Sequence, residues 1–599
     1  MSTHALAAMT APRWAWLPAP DTWKYHALLL ALGILVLGPL GGVTASYMNF
    51  SLGFFIGGQV LAGILGSTVT YGYGAEGKHG ANYIQTAAAS VASLSAMGVL
   101  IQAMVWMGLP QPPVWQMVLY MLCIGMFAAG LGMLYTPILV DRMQLTFPSG
   151  LAVANILRAL TDPVLLRRSV STLGTGIAVG IASGIAAAKV AVLGAIELSS
   201  STFGAGMVVG ARIGIPAITA GLLGAALIPY FVSIGWLKEG DPARKITFLI
   251  ALGMIMGAAI VDLTLIGWQA WQRYQQRSGG LVEEPPDWKR VNTKRLVLWV
   301  IFWAVGTVLT GHLVLQQPVG YLVFAIALCF VFALVNGIST GLTDSNPISS
   351  AFVVSVVLMA TAGLTDPITG LMCGAILLIT CNSAVDMQQD RSTGWRLGTN
   401  RVIQFRYQVA GILMGAIMGV VFAKLFMAAY PVLNLDQTVM KASEQPANWS
   451  AAMTYKFVGV LRSLTDPKPY QMTAIWLGVG LGFAIEAARK IIKANAGYQA
   501  FAKRGKGGFA TDFVIDAIVL PSPYAFSFGG FVNLGTSMWF GAGGIVTSLY
   551  NTFAPRKQDD DLPSDMSSTS LIGGGFIAGD ALAALGLGIV GLLATVAGG

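Results

Sequence analysis

Apolar stretches of roughly 20 residues recur from Tyr25 to the C-terminus, and no other feature restricts the fold so severely. A helix of about that length crosses the hydrocarbon core of a bilayer. Backbone N–H and C=O groups find no water there, so only helices and closed barrels can cross. A barrel would show segments of about ten residues with alternating polarity, whereas these stretches are continuously apolar. Asp, Glu, Lys and Arg supply only 10% of the 599 residues. Soluble domains use about 25% to cover a water-facing surface. The fold class is therefore all-α, a polytopic membrane protein.

Spanning candidates lie near 24–45, 50–72, 84–108, 115–139, 168–190, 201–213, 215–236 and 244–270. A second series lies near 296–315, 319–337, 347–364, 367–383, 403–429, 471–487, 513–552 (as two segments) and 572–598. The total is about 16 transmembrane helices. Segments 144–163 and 440–467 mix polar, small and proline residues, and read as re-entrant hairpins or broken helices. The 73 glycines and 26 prolines point the same way, towards close helix packing and intramembrane breaks.

The chain is also internally duplicated. Ile156-Leu157-Arg158-Ala159-Leu160-Thr161-Asp162-Pro163 recurs as Val460-Leu461-Arg462-Ser463-Leu464-Thr465-Asp466-Pro467, an offset of 304 residues with six of eight positions identical. The same offset carries Leu173-Gly174-Thr175-Gly176 onto Leu477-Gly478-Val479-Gly480, Asn82 onto Asp386, and Gln85 onto Gln389. Repeats of this kind build a central site between two halves in many secondary transporters. The expected division is a cytoplasmic tail (1–23), a first repeat half (24–270), a cytoplasmic polar linker (271–295) and a second half (296–599). Eight crossings per half make the repeat parallel, and an odd number makes it inverted.

Basic residues concentrate at Arg273, Arg277, Lys289, Arg290, Lys294 and Arg295, at Arg391, Arg396, Arg401 and Arg406, and at Arg489, Lys490, Lys493, Lys503, Arg504 and Lys506. The positive-inside rule places these loops in the cytoplasm, and no nucleic-acid partner is expected. No cleavable signal peptide is visible, and the short tails suggest a prokaryotic inner membrane. Cys123, Cys329, Cys373 and Cys381 lie in or beside apolar segments, as buried core residues do. The four histidines show no metal-ligand spacing, so neither a metal site nor a cofactor is expected.

Several blocks together resemble the oligopeptide transporter (OPT) family, which includes the yellow-stripe-like branch. They are Asn82-Tyr83-Ile84-Gln85-Thr86-Ala87-Ala88, Gln144-Leu145-Thr146-Phe147-Pro148-Ser149-Gly150-Leu151-Ala152 and Ser345-Asn346-Pro347-Ile348-Ser349. Asp386-Met387-Gln388-Gln389-Asp390 with Thr393-Gly394 follows, then Leu520-Pro521 with Gly529-Gly530. The order holds from about residue 24 to 598. Bacterial members carry Gly-Glu where this chain has Gly579-Asp580, and an acidic residue often stands at the position of Ser149. The resemblance implies a secondary active, proton-coupled importer of short oligopeptides across the cytoplasmic membrane. The alternative is proton-coupled transport of metal chelates of siderophore or nicotianamine type. Its partners would be that small molecule, protons and the bilayer, with a homodimer left open.

Physical chemistry nominates the groups that such transport needs. Thr146, Phe147, Pro148, Ser149 and Gly150 place a cap residue, a proline and a glycine at a helix start. A helix N-terminus presents N–H donors and positive dipole to a substrate carboxylate. Asp344, Asn346 and Ser349 make the same case in the second half, and the duplicated Gln85 and Gln389 are hydrogen-bonding candidates at the repeat interface. Thr-Asp-Pro at Asp162, Asp366 and Asp466 reads first as a helix-start signal, with Arg158 and Arg462 one turn earlier as ion-pair partners. Asp580, Asp262, Asp162 and Asp386 are the proton-coupling candidates, because a carboxylate among apolar residues is costly and usually faces a cavity. Desolvation in general favours the protonated carboxyl, which suits a group that exchanges protons.

Other classes fit less well. No Gly-x-x-x-x-Gly-Lys-Ser/Thr motif is present, which leaves no ATP motor in this chain. An intramembrane aspartyl protease needs Gly-x-Gly-Asp, but Ile577 stands where the first glycine belongs. No serine is paired with His312, so no enzyme activity and no catalytic residue are expected. A passive channel would require a filter-like repeat that the chain lacks.

Overall fold

The computed structural model describes residues 16–51, 59–161, 163–190, 198–241, 243–275, 286–343, 346–440, 451–464, 469–532, 534–553 and 567–598, with Trp14 and Leu193. Among these residues every regular element is helical. In chain order the α-helices are α1 Trp23–Ala31, α2 Gly38–Ser51, α3 Gln59–Thr70, α4 Gly77–Ser95, α5 Val99–Trp106 and α6 Val114–Thr136. Then come α7 Pro148–Thr161, α8 Pro163–Lys189, α9 Ser200–Val209, α10 Ala211–Ala226, α11 Ile228–Ser233 and α12 Arg244–Gln275. Beyond the linker lie α13 Thr293–Leu309, α14 Val319–Thr343, α15 Ile348–Thr361, α16 Pro367–Leu397 and α17 Arg401–Ala429. The last are α18 Ala452–Ser463, α19 Pro469–Ala494, α20 Ala496–Ala502, α21 Gly505–Val514, α22 Pro523–Phe531, α23 Leu534–Phe553 and α24 Ser568–Gly598.

Eight helical stretches among the described residues are long and apolar enough to cross a bilayer, and a ninth is formed if Gly505–Val519 and Pro523–Gly530, bent by 42°, make one span. Several other segments expected as spans are shorter apolar helices. Residues 201–236 divide into α9, α10 and α11, because Gly210 at φ +80° breaks the chain after ten residues. Conversely, the stretches expected near 50–72 and 84–108 join into one helical run, Leu65–Trp106, kinked where Gly74 adopts φ +63°. The span expected at 367–383 continues for 31 residues as α16 and carries Asp386, Asp390 and Arg391 inside it. Arg391 and Arg401 therefore belong to helices and are 1% and 4% exposed, rather than standing in a basic loop. Their burial is supported by polar partners on neighbouring helices, which no local sequence pattern reveals.

The two segments expected to be broken each contain one short helix. At 1.5 Å per residue, the 14-residue α7 is about 21 Å long and the 12-residue α18 about 18 Å, less than the roughly 30 Å hydrocarbon core. Each follows a non-glycine residue held in the left-handed region, Phe147 at φ +44° and Ala451 at φ +38°. These two residues are themselves 304 apart. The Phe147 N–H donates to the carbonyl of Gly341 near the end of α14 at 2.9 Å, and the Ala451 N–H to that of Phe50 near the end of α2 at 3.1 Å. Such strain in ordinary residues costs of order 1–3 kcal/mol and persists only where the surroundings over-determine it.

Packing is crosswise about the linker. Helix α4 lies along α17, α6 along α16, α8 along α24, and α12 along α19. The duplicated sequences sit on α4 and α16, on α7 and α18, and on α8 and α19, so these contacts map onto one another. Small residues permit the close approach that drives helix association in lipid. A Cβ at Gly180 of α8 would lie 2.9 Å from the Cα of Gly579 on α24, and one at Gly253 of α12 would lie 2.9 Å from the Cα of Gly478 on α19. All four cysteines are buried and free.

Candidate functional site

Where α4 and α16 pack together, their polar residues form a buried network. Asn82 Nδ2 donates to Gln85 Oε1 at 2.7 Å, and Gln85 Nε2 donates to the carboxylate of Asp390. Gln404 of α17 donates from Nε2 to the Asp390 carbonyl at 2.8 Å and to Thr86 Oγ1 at 2.9 Å. Arg391 Nη1 donates to Gln404 Oε1 and to the Arg401 carbonyl, each at 2.7 Å. One turn away, Asn382 Nδ2 donates to Ser93 Oγ at 2.6 Å, and Asp386 hydrogen-bonds with the same serine. Gln85 and Asp390 are 0% and 1% exposed.

The network is incomplete. Both ends of the Gln388 amide, Asn82 Oδ1, Ser383 Oγ and Gln408 Oε1 are buried and meet no hydrogen-bond partner among the described residues. An unsatisfied buried polar atom costs about 1–3 kcal/mol. These five atoms are spread along α4, α16 and α17, with Asn82 beside Gly394 and Gln388 facing Gly337 of α14. Buried polar atoms of this kind are normally partnered by water or a ligand.

The C-terminal turns of α16 join this network to a cavity of about 640 Å³. Thr393 Oγ1 donates to the Gly150 carbonyl at 2.9 Å, and Gly150 packs against the Gln389 carbonyl, where a Cβ would come within 2.8 Å. Glycine is therefore required by this approach. Arg396, three residues on, donates to the Thr146 carbonyl at 2.9 Å. Arg158 of α7 donates to the Arg396 carbonyl. Thr146, Leu151, Arg158 and Arg396 line the cavity with Trp395, and Asn551, Ser567, Thr569 and Ser570 supply hydroxyl and amide groups opposite. Two guanidinium groups and several hydroxyls suit an anionic, hydrogen-bonding solute. Its volume falls within the about 300–1,000 Å³ of small-molecule sites.

Of the sequence candidates, Gln85, Gln389, Asp386, Thr146, Phe147, Pro148 and Gly150 gather around α16 and the start of α7, with the half-buried Ser149 among them. Thr146 alone of these lines the cavity, while Phe147 and Pro148 are buried behind it. Asn346 accepts from Asn336 Nδ2 at 3.1 Å and donates to the Cys381 carbonyl at 3.2 Å, so it ties α14 to α16. Ser349 Oγ accepts from Lys456 at 3.5 Å. Asp344 and Asp162, like Asp466, lie outside the described residues. Asp366 does cap α16, accepting from the N–H groups of Ile368 and Thr369. Arg462 is held by Asp436 and Thr438.

The remaining carboxylates stand apart from the cavity. Asp580 Oδ2 accepts the Ser201 N–H at 3.2 Å, capping the first turn of α9 beside Gly184 of α8. Asp262 pairs with Lys490 at 2.8 Å and accepts from Tyr524 at 2.9 Å. That pair belongs to a chain of ions in which Lys490 also meets Glu486, Lys493 meets Asp516, and Arg212 bridges Asp512 and Asp516 at 2.6 Å each. Gln404, Asn551, Ser567, Thr569 and Ser570 are not among the residues the sequence nominates, and they carry no motif at all. Asp390, which the sequence places with Asp386 and Arg391 at the border of a basic loop as gate or anchoring groups, lies inside α16.

No group of three or more His, Cys, Asp or Glu residues placed to hold a metal ion occurs among the described residues. A family model described as "OPT oligopeptide transporter protein" matches residues 26–590. The rice (Oryza sativa subsp. japonica) protein described as "Probable metal-nicotianamine transporter YSL8" is 25% identical over 220 residues, 31% of this chain and 32% of that protein. The chain thus aligns with about a third of that relative. With the family model covering nearly the whole length of a multi-helical apolar chain, this protein belongs to the OPT oligopeptide transporter family.

Proposed function

We propose that this protein is a secondary active, proton-coupled importer of short oligopeptides in the cytoplasmic membrane. The observation that carries this reading is the cavity of about 640 Å³ with Arg158 and Arg396 on its wall. A peptide carboxylate would be held by the two guanidinium groups, and the first turn of α7 would add its N-terminal dipole. The hydroxyl wall formed by Ser567, Thr569 and Ser570 would meet the peptide's amide groups. Asp386 and Asp390, set among unsatisfied amides on α16, are the groups suited to take up and release the proton. Protonation there would bias one facing state of the crosswise-packed halves, residues 24–270 and 296–599, and so link proton flow to substrate movement. Asp580 and Asp262 have structural partners, so their part in coupling would be secondary.

A second reading is favoured by the rice relative, whose printed name concerns a metal-nicotianamine substrate. A chelate built from an amino-acid-derived ligand carries carboxylates that would meet the same two arginines.

Uptake into proteoliposomes with an imposed inward proton gradient tests both. Labelled di- to pentapeptides accumulating against their gradient, and ceasing to do so when the proton gradient is collapsed, is the expected result. Accumulation of an iron–nicotianamine chelate alone would replace the first reading by the second. Equilibration of either solute without accumulation would overturn proton coupling.

A further inference from the structure

A second cavity, of about 610 Å³, opens at the foot of α13 on the linker side, lined by a separate set of residues. Its walls combine Met133 and Leu134 of α6 with Asp141, Lys289, Asn292 and Arg401. Helix α13 above it is the least covered of the long apolar stretches, with 22% of its apolar window buried. Leu298, Phe302 and Leu313 on that stretch are 65%, 66% and 69% exposed, the pattern of a helix that faces lipid. The cavity thus stands at the end of a lipid-facing helix. Beside it, the Trp288 ring packs 4.9 Å from the Lys289 ammonium and 5.7 Å from the Arg401 guanidinium. Tryptophan at the ends of spans marks headgroup depth.

Charge and geometry there select an anion. Lys289, Arg290 and Arg401 line the cavity, against Asp141. Arg401 is 4% exposed, its Nη atoms grip Asp141, and its Nε meets no acceptor among the described residues. Lys289 reaches Asp141 only at 3.7 Å. The N-terminus of α13 adds its dipole, because Asn292 and Thr293 line the same cavity. A free phosphate would satisfy the cations but leave the methionine and leucine wall unused. A phospholipid would use both, with its phosphodiester at the basic rim and its chains along α13. Basic pockets between spans on the cytoplasmic side bind anionic headgroups in this way.

We infer that this cavity is a binding site for the phosphodiester headgroup of an anionic phospholipid. It borders the transport machinery, since the Arg401 carbonyl accepts from Arg391 in the central network at 2.7 Å.

The test uses the full-length protein in detergent, offered phosphatidylglycerol, phosphatidylcholine or inorganic phosphate, with bound lipid read by native mass spectrometry and stability by thermal melting. Phosphatidylglycerol should be retained and raise the melting temperature, and phosphatidylcholine and phosphate should do neither. The double variant Lys289→Ala, Arg290→Ala should weaken retention by roughly fivefold per cation removed. Lys503→Ala with Arg504→Ala, in the basic stretch of the second half, should leave retention unchanged. Should the first double variant melt early, Arg290→Gln alone, on a side chain that is 53% exposed, reads the same site with a loss of about fivefold. Equal retention of both lipids, undiminished retention in the variants, or a phosphate-only shift matching that of the lipid would each overturn the assignment.

Discussion

At the scale of single residues, the arginines of the first cavity make the sharpest demand. Replacing Arg158 or Arg396 by Gln removes a charge-assisted contact worth about 1.5–3 kcal/mol, so KM for a peptide with a free carboxylate should rise roughly 10- to 100-fold. The measurement is uptake kinetics with free and C-terminally amidated peptides. An amidated peptide should be transported by the variants about as well as by wild type, and an equal loss for both peptides would remove the arginines from carboxylate recognition. Asp386→Asn should keep substrate binding yet abolish the response to an imposed proton gradient, a split read by comparing equilibrium binding with driven uptake. Gly150→Ala should destabilise the protein by about 1–3 kcal/mol, because a methyl group would press on the Gln389 carbonyl. Thermal melting in detergent reports it. Gln85 and Gln389 could be picked from the sequence because duplication singled them out. Asp390 and Arg391 read as bordering a basic loop, because their partners, Gln85 for the Asp390 carboxylate and Gln404 for Arg391, come from other helices.

Among the elements, the contrast between long and broken helices decides where polar groups can sit. Helix α16 keeps its backbone bonds for 31 residues while side chains from α4 and α17 cover its polar face. The short helices α7 and α18 end in mid-structure, and each begins at a strained left-handed residue pinned by a carbonyl from another helix. Prolines and small residues announced both breaks, but the partners of the strained N–H groups, Gly341 and Phe50, bear no local signature. The ion chain joining α12 to α19 gives a prediction at this scale. Lys490→Met leaves Asp262 with Tyr524 and without its cation, and should cost about 1–3 kcal/mol, less than a fully buried pair because Lys490 is 42% exposed. Adding Asp262→Asn should recover part of the loss. A double-mutant cycle by thermal melting that shows purely additive losses would mean the two side chains do not act as a pair.

For the whole molecule, the crosswise contacts tie helices up to residue 275 to helices from residue 293 onward. Gly478→Leu would drive a branched side chain into the carbonyl of Ile250 and the backbone of Gly253, and Gly180→Leu into Phe576 and Gly579 on the matching pair α8 and α24. Both substitutions should broaden or abolish the monodisperse peak in size-exclusion chromatography. Leucine at Gly480, which has no neighbour within 4 Å of a built Cβ, should leave it unchanged. Hydropathy alone determined that this chain is an all-helical membrane protein, because continuous apolar stretches in a bilayer can satisfy their backbone only as helix whatever their arrangement. Self-similarity alone marked the duplication, and ordered motifs the family, because both are properties of the one-dimensional string. Tertiary structure decided the rest. Whether a charge is buried or solvated, which carboxylate is capped or paired, and which arginines come together on a cavity wall all depend on contacts between residues hundreds apart. Those interactions fall off within a few ångströms of space, and no local spacing in the sequence records them.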